Sequence, residues 1–140
     1  MFEIDASAEF GQRVIRRLDD EEVIWLTTAH PGGTPQPNPV WFIWENGTFL
    51  VYTQPNSYKL RNIAQNPRVA VHFNSDPQGG DVIIFAGEAK IDRDTPPADQ
   101  NPAYLHKYRQ GIAGIDMTPE SFAQSYSVPI RIRPVKLRGF

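Results

Sequence analysis

The stretch Thr53-Gln54-Pro55-Asn56-Ser57-Tyr58-Lys59-Leu60-Arg61-Asn62-Ile63 gathers hydroxyl, amide and cationic side chains around the start of a short helix. A helix N-terminus has free backbone N–H groups and a partial positive charge, which suit a phosphate. Ser57 adds a hydroxyl donor, and Lys59 adds a point charge in the first turn. Lys59 and Arg61 stand about 200° apart around a helix, so both cannot face one phosphate. Lys59 is expected at the phosphate, and Arg61 at another part of the ligand or at a partner chain. Upstream, Gln36-Pro37-Asn38-Pro39-Val40-Trp41-Phe42 presents backbone amides and Asn38 on one face and Trp41 on another. Planar heteroaromatic ligands rest on apolar and aromatic walls, with a few polar groups at their edges. Trp41 is open to two readings, a wall for such a ligand or a filler of the core. Trp25 and Trp44 are read as core.

Other chemistries find no foothold. The chain has no cysteine, which excludes disulfides, thiolate nucleophiles, iron–sulfur clusters and Cys-based zinc sites. His30, His72 and His106 share no metal-ligand spacing, so no metal site is expected, and His72 is read as a half-buried sheet residue. There is no G-x-S-x-G elbow, no G-x-G-x-x-G and no P-loop. The acids Asp19-Asp20-Glu21-Glu22 read as solvated charge between a helix and a strand. No side chain is therefore assigned a catalytic role.

Fourteen Lys+Arg against 16 Asp+Glu give a net charge of −2, which argues against a globally basic nucleic-acid binder. The charges are uneven. No acid lies between Asn46 and Ser75, where Lys59, Arg61 and Arg68 stand, and none from Ser121 onward, where Arg131, Arg133, Lys136 and Arg138 stand. Such stretches suit a local anionic ligand, or are ordinary surfaces. No apolar run is long enough to span a membrane, and Met1-Phe2-Glu3-Ile4-Asp5 lacks the basic start of a signal peptide. The expectation is one cytoplasmic domain over 1–140, binding a small molecule.

The elements that position these residues follow from periodicity. Phe10, Val14 and Leu18 predict a helix from Ser7 to Asp19, capped by Ser7 or Asp5. Val23–Ala29 reads as a buried strand, His30–Thr34 as a turn, and Pro39–Trp44 as a second strand. Asn46-Gly47 signals a hairpin into the strand Phe49–Thr53. Leu60, Ile63 and Ala64 mark a helix capped by Asn56 or Ser57 and stopped by Asn66-Pro67. Strands follow at Val69–Phe73 and Val82–Ile91, with Gly87 a candidate bulge. After a polar connection from Asp92 to Asn101, helices are expected around Tyr104–Tyr108 and Pro119–Phe122. The last strand alternates at Val128, Ile130 and Ile132 and changes phase at Pro134, a bulge or an edge. Six strands with peripheral helices argue for a closed or split antiparallel barrel. Early strands that follow one another without helices disfavour a Rossmann-like sheet.

The strand Val23–Ala29, the run Gln36–Phe42, and Tyr58-Lys59-Leu60-Arg61-Asn62-Ile63 with Asn66-Pro67-Arg68-Val69 together resemble a known superfamily. It is that of the flavin/deazaflavin oxidoreductases, the pyridoxamine 5′-phosphate oxidase-like proteins, and the likeness covers roughly Phe10 to Arg133. The Asn-Pro-Val-Trp-Phe strand and the Lys-x-Arg-Asn-Ile helix are most similar to mycobacterial-type reductases that use the deazaflavin coenzyme F420. The resemblance implies a mainly β, six-stranded antiparallel split β-barrel with peripheral helices, of the FMN-binding type. It implies a homodimer with the cofactor at the subunit interface. It places Lys59 and Ser57 on the cofactor phosphate with Arg61 nearby. Gln36, Pro37, Asn38, Pro39 and Val40 would flank the deazaflavin ring, and Trp41 and Thr53 would wall the site. The implied activity is hydride transfer from reduced F420 to an unsaturated small molecule such as a quinone or enone. FMN on the same barrel, or a non-catalytic cofactor- or tetrapyrrole-binding role, are the alternatives. Arg131 and Arg133 do not match the substrate motif of the pyridoxine oxidases, so vitamin B6 chemistry is not expected.

Overall fold

Alternation along Val23–Ala29 builds strand β1, with Ile24, Leu26 and Thr28 buried and the residues between them turned outward. The computed structural model describes residues 2–140. It adds β2 (Pro35–Trp41), β3 (Ile43–Glu45), β4 (Thr48–Thr53), β5 (Arg68–His72), β6 (Ile83–Ile91) and β7 (Val128–Gly139). These form one antiparallel sheet in the order β2-β1-β5-β6-β7-β4-β3. The helices are α1 (Glu9–Asp20), α2 (Tyr58–Gln65), α3 (Pro102–Gly114) and α4 (Pro119–Ser125), with a 3-10 turn at Ala98–Gln100. Among the described residues no helix is long and apolar enough to cross a membrane.

The sheet has seven strands where six were expected, because the single strand predicted at Pro39–Trp44 is two. β2 pairs with β1 at one edge of the sheet, and β3 pairs with β4 at the other. Only Phe42 separates them, so one residue joins the two edges and the sheet must curl into a half-barrel. The Phe42 peptide groups leave the ladder and find other partners. The Tyr108 hydroxyl accepts from Phe42 N at 2.8 Å and approaches Phe42 O at 2.8 Å. Lys107 Nζ also donates to Phe42 O, at 2.9 Å.

That lysine carries a pH prediction. Burial pushes the Lys107 ammonium down to about 8, against the opposing pull of Glu22, Asp19, Glu21 and Asp20. An unfolded lysine titrates near 10.4. Between about pH 8 and about pH 10 the unfolded chain therefore holds a proton that the folded chain has released, so stability rises with pH. In urea midpoints compared across that range, wild type should gain on Lys107→Met. A difference that stays constant with pH refutes the assignment.

Strand β2 starts at Pro35, not Pro39. Prolines at 35, 37 and 39 occupy alternate positions, so their missing N–H groups all fall on one side of the strand. On an edge strand that is the side facing away from β1, where the loss costs nothing and discourages further strand pairing. In β7, Gly87 opposes Pro134 and Ala86 opposes Lys136, leaving Val135 extra. The phase change at Pro134 is thus a bulge in an interior strand, where a proline cannot donate to the ladder. Asn46 and Gly47, with φ of 53° and 71°, form the expected hairpin turn.

Helix α1 starts at Glu9, and its N-cap, Ala8, has no side-chain cap. Asp5 Oδ1 instead accepts from Ser7 N at 3.0 Å and Ser7 Oγ at 2.5 Å, so the two expected caps satisfy each other. Trp25 is not core. It holds an outward position on β1, stacks on His72 across the β1–β5 pair at 6.4 Å, and donates Nε1 to Asn74 Oδ1 at 2.8 Å. Trp44 does pack on the core, 4.8 Å from Phe49.

Two apolar clusters hold the molecule together. One fills the half-barrel, with Leu26, Phe42, Phe49, Phe85 and Ile130 under Val14 and Leu18 of α1. The other lies between Leu50 and Tyr52 of β4 and the residues Tyr104, Tyr108, Ile112 and Phe122 of α3 and α4. Each fully buried side chain of this size stabilises by about 1.5–3 kcal/mol relative to exposure. Two cations of the basic C-terminal stretch are paired: Arg131 meets Glu45 at 3.0 Å and Asp92 at 3.6 Å, and Arg133 meets Glu88.

Candidate functional site

Strand β4 ends at Thr53, and α2 begins five residues later at Tyr58, with Ser57 as its N-cap. Ser57 Oγ accepts from Thr53 Oγ1 at 3.2 Å instead of bonding the helix backbone. The first amides of α2 therefore lack a side-chain cap and stay available to a ligand. Lys59, in this first turn, is half-buried and makes no ion pair or hydrogen bond among the described residues. Burial lowers its pKa. A partly desolvated, unpaired ammonium gains most from an anion placed beside it.

Lys59 and Thr53 form the polar end of a cleft of about 390 Å³. Trp41, Tyr52, Tyr104, Phe122 and Tyr126 supply aromatic walls, and Pro39, Val40, Val23 and Ile115 supply apolar ones. The rings are ordered. Trp41 stacks on Tyr108 at 4.8 Å and 6° and on Phe122 at 5.7 Å and 17°, and Phe122 stacks on Tyr126 at 4.5 Å. Gly111 of α3 lets Trp41 lie close, since a Cβ there would meet the Trp41 ring at 3.1 Å. Both readings of Trp41 therefore hold at once: its ring packs on the second core cluster and also walls the cleft.

Of the ten residues expected at the site, Pro39, Val40, Trp41, Thr53 and Lys59 line the cleft. Ser57 is tied to it through Thr53. Gln36 turns elsewhere: its Oε1 accepts from Asn62 Nδ2 at 2.7 Å, and the same amide donates to Thr28 Oγ1 at 2.9 Å. Pro37 and Asn38 are exposed on β2, outside the cleft. Arg61 is exposed too, its guanidinium 4.6 Å over the Tyr58 ring, as helical geometry required of a residue two places from Lys59.

Residues 11–138 match the family model described as pyridoxamine 5′-phosphate oxidase. The chain belongs to that family. Among solved structures, one titled F420 reductase is 26% identical, covers 88% of this chain and 94% of its own, and superposes with a TM-score of 0.66. HutZ, the heme storage protein from Vibrio cholerae, is 15% identical over 94% of this chain and 95% of its own, with a TM-score of 0.65. A FAD-binding protein from Mesorhizobium loti is 17% identical over 90% of this chain and 88% of its own, with a TM-score of 0.59. The last two likenesses establish the family's fold alone. No curated protein matches the chain.

More than half of the cleft's lining was invisible in the sequence. Tyr52, Tyr104, Phe122, Tyr126, Val23 and Ile115 line it, yet none was expected at the site. Tyr104 and Tyr108, four residues apart, did signal a helix face. What that face covers depends on how α3 and α4 dock against β3 and β4.

Proposed function

We propose that the cleft binds a flavin-type cofactor, and that the chain is an oxidoreductase using deazaflavin coenzyme F420 to reduce an unsaturated small molecule. The observation that carries this reading is the half-buried, unpaired Lys59 ammonium at an uncapped helix start beside an aromatic cleft. Those features fit a planar ring system with a phosphate tail. The 26% identical F420 reductase supports a cofactor of this type. Lys59, the Ser57 hydroxyl and the first amides of α2 hold the phosphate. Pro39, Val40 and Trp41 would flank the ring, and Thr53, which donates to Ser57 Oγ, would hold the Ser57 hydroxyl toward the phosphate. Phe122 and Tyr126 would add apolar wall that keeps water from the cleft. When bound, the deazaflavin supplies the hydride; the protein supplies position and a dry, cationic pocket. A homodimer belongs to the same proposal. A second copy closing over the cleft would bring Gln36, Pro37, Asn38 and Arg61, which do not line it in one chain, to the bound cofactor.

The test is a pair of titrations of purified protein followed by calorimetry, one with F420 and one with FMN. Micromolar or tighter F420 binding with weaker FMN binding is expected. Tight FMN with no F420 binding would replace the cofactor, and binding of neither would overturn the site.

A further inference from the structure

A second groove, of about 620 Å³, runs along α3, and Trp41 is the one residue that lines both it and the cleft. Lys107 lines this groove and is half-buried. Its Nζ donates to Phe42 O at 2.9 Å and lies 3.8 Å from the centre of the Phe42 ring and 5.3 Å from that of Tyr108. No carboxylate pairs with it: among the described residues every ion pair is made by an arginine. Glu22, Asp19, Glu21 and Asp20 act on it only from a distance. The amine is thus set between aromatic rings and one carbonyl, where an ammonium loses hydration and no contacting counter-charge offsets the loss. Burial brings its titration down to about 8, so at pH 7 roughly a tenth of it is free amine, against less than roughly a thousandth for an ordinary lysine.

We infer that Lys107 is a covalent site for a small, flat, uncharged aldehyde, which its amine captures in this groove as a protonated imine. The free amine adds to the carbonyl carbon, the carbinolamine loses one water, and the imine nitrogen takes up a proton. Overall, ammonium and aldehyde give iminium and water. The product keeps one N–H and one positive charge, so it retains both the bond to Phe42 O and the place over the Phe42 ring. Acylation of the same amine would remove the charge and with it the ring contact. The surrounding charges select the aldehyde. Glu22 lines the groove, with Asp19, Asp20 and Glu21 beyond it, and these four acids outnumber Arg109 and His106 on α3, which disfavours an anionic electrophile. The Trp41 ring supplies a flat wall for an aromatic one. This inference does not rest on the cofactor reading of the cleft.

The test uses the wild-type chain at pH 7 with benzaldehyde and cyanoborohydride, which reduces the iminium to a stable secondary amine. Labelling of Lys90, Lys107 and Lys136 is followed over time by peptide mass spectrometry. Lys107 should label about tenfold faster than Lys90 and Lys136, both exposed, because its larger share of free amine outweighs the weaker nucleophilicity of a less basic nitrogen. Labelling of Lys107 no faster than theirs overturns the inference. In guanidinium the preference should vanish. Its persistence there would trace it to sequence neighbours such as His106 and Arg109, and would equally overturn the role of the groove. 4-Carboxybenzaldehyde carries the charge that the acids disfavour, so it should label Lys107 more slowly than benzaldehyde does once each rate is divided by that at Lys90. Equal ratios for the two probes overturn the uncharged ligand class.

Discussion

Replacing Lys59 with alanine is expected to weaken binding of a phosphate-bearing cofactor by about 1–3 kcal/mol, roughly five- to 150-fold in Kd. The magnitude follows from the environment of the ammonium. It is half-buried and has no protein counter-charge, so an incoming phosphate becomes its sole anionic partner in a partly desolvated setting. Folding should be nearly untouched, because the substitution breaks no internal ion pair or hydrogen bond. Loss of the half-buried ammonium, whose protonated form the fold disfavours, offsets part of the lost packing of the lysine stem. Arg93→Ala is the matching control, since Arg93 is an exposed cation that lines no part of the cleft and its loss should leave affinity nearly unchanged. Calorimetric titration of the variants at two salt concentrations checks all three points. A Kd unchanged in Lys59→Ala removes the phosphate from this end of the cleft.

Tyr108→Phe should destabilise the fold by about 1–3 kcal/mol, although it removes one oxygen atom. That oxygen accepts from Phe42 N at 2.8 Å, and its single proton is shared between Glu22 O at 2.7 Å and Phe42 O at 2.8 Å. Phe42 is fully buried at the one-residue junction of β2 and β3, where no neighbouring strand is present to satisfy it. Without the hydroxyl, Phe42 O keeps Lys107 Nζ, but Phe42 N is left with no partner. Tyr108→Ala also loses the stack under Trp41 and the contact with Tyr104, for a total of about 3–5 kcal/mol. Urea unfolding gives both values, provided that the slope m is unchanged. The alanine variant should also shift Trp41 emission and lower cofactor affinity, because the wall loses its backing. A Tyr108→Phe cost below about 0.5 kcal/mol would show that a water replaces the hydroxyl, since an unmatched buried N–H costs more than that.

The junction at Phe42 shows where reasoning from local pattern reaches its limit. Val40-Trp41-Phe42-Ile43-Trp44 is continuously apolar and β-prone, so nothing in it announces a break. The break arises because the chain must leave one edge of a curled sheet and join the other, and because a tyrosine 66 positions away can satisfy the freed peptide groups. The three prolines of β2 mislead in the opposite direction. They look like a loop, yet on an edge strand they remove only donors that have no use. The cationic end of the candidate site, proposed to hold a phosphate, was readable because its parts are neighbours in sequence. Ser57 and Lys59 share one helix start with its free amides, and their geometry follows from helix dimensions alone.

Sequence alone determined the strand and helix types, the hairpin at Asn46-Gly47, the break in phase at Pro134 and the cationic helix start. Each of these depends on backbone preferences and side-chain periods over a few residues. Only the tertiary structure decided the seventh strand, the outward place of Trp25, the departure of Gln36, Pro37 and Asn38 from the cleft, and its aromatic far wall. Tyr52, Tyr104, Phe122 and Tyr126 come from three separate elements that meet by packing. Which side of an amphipathic element faces which neighbour is settled by burial of the whole chain, and no local period encodes it.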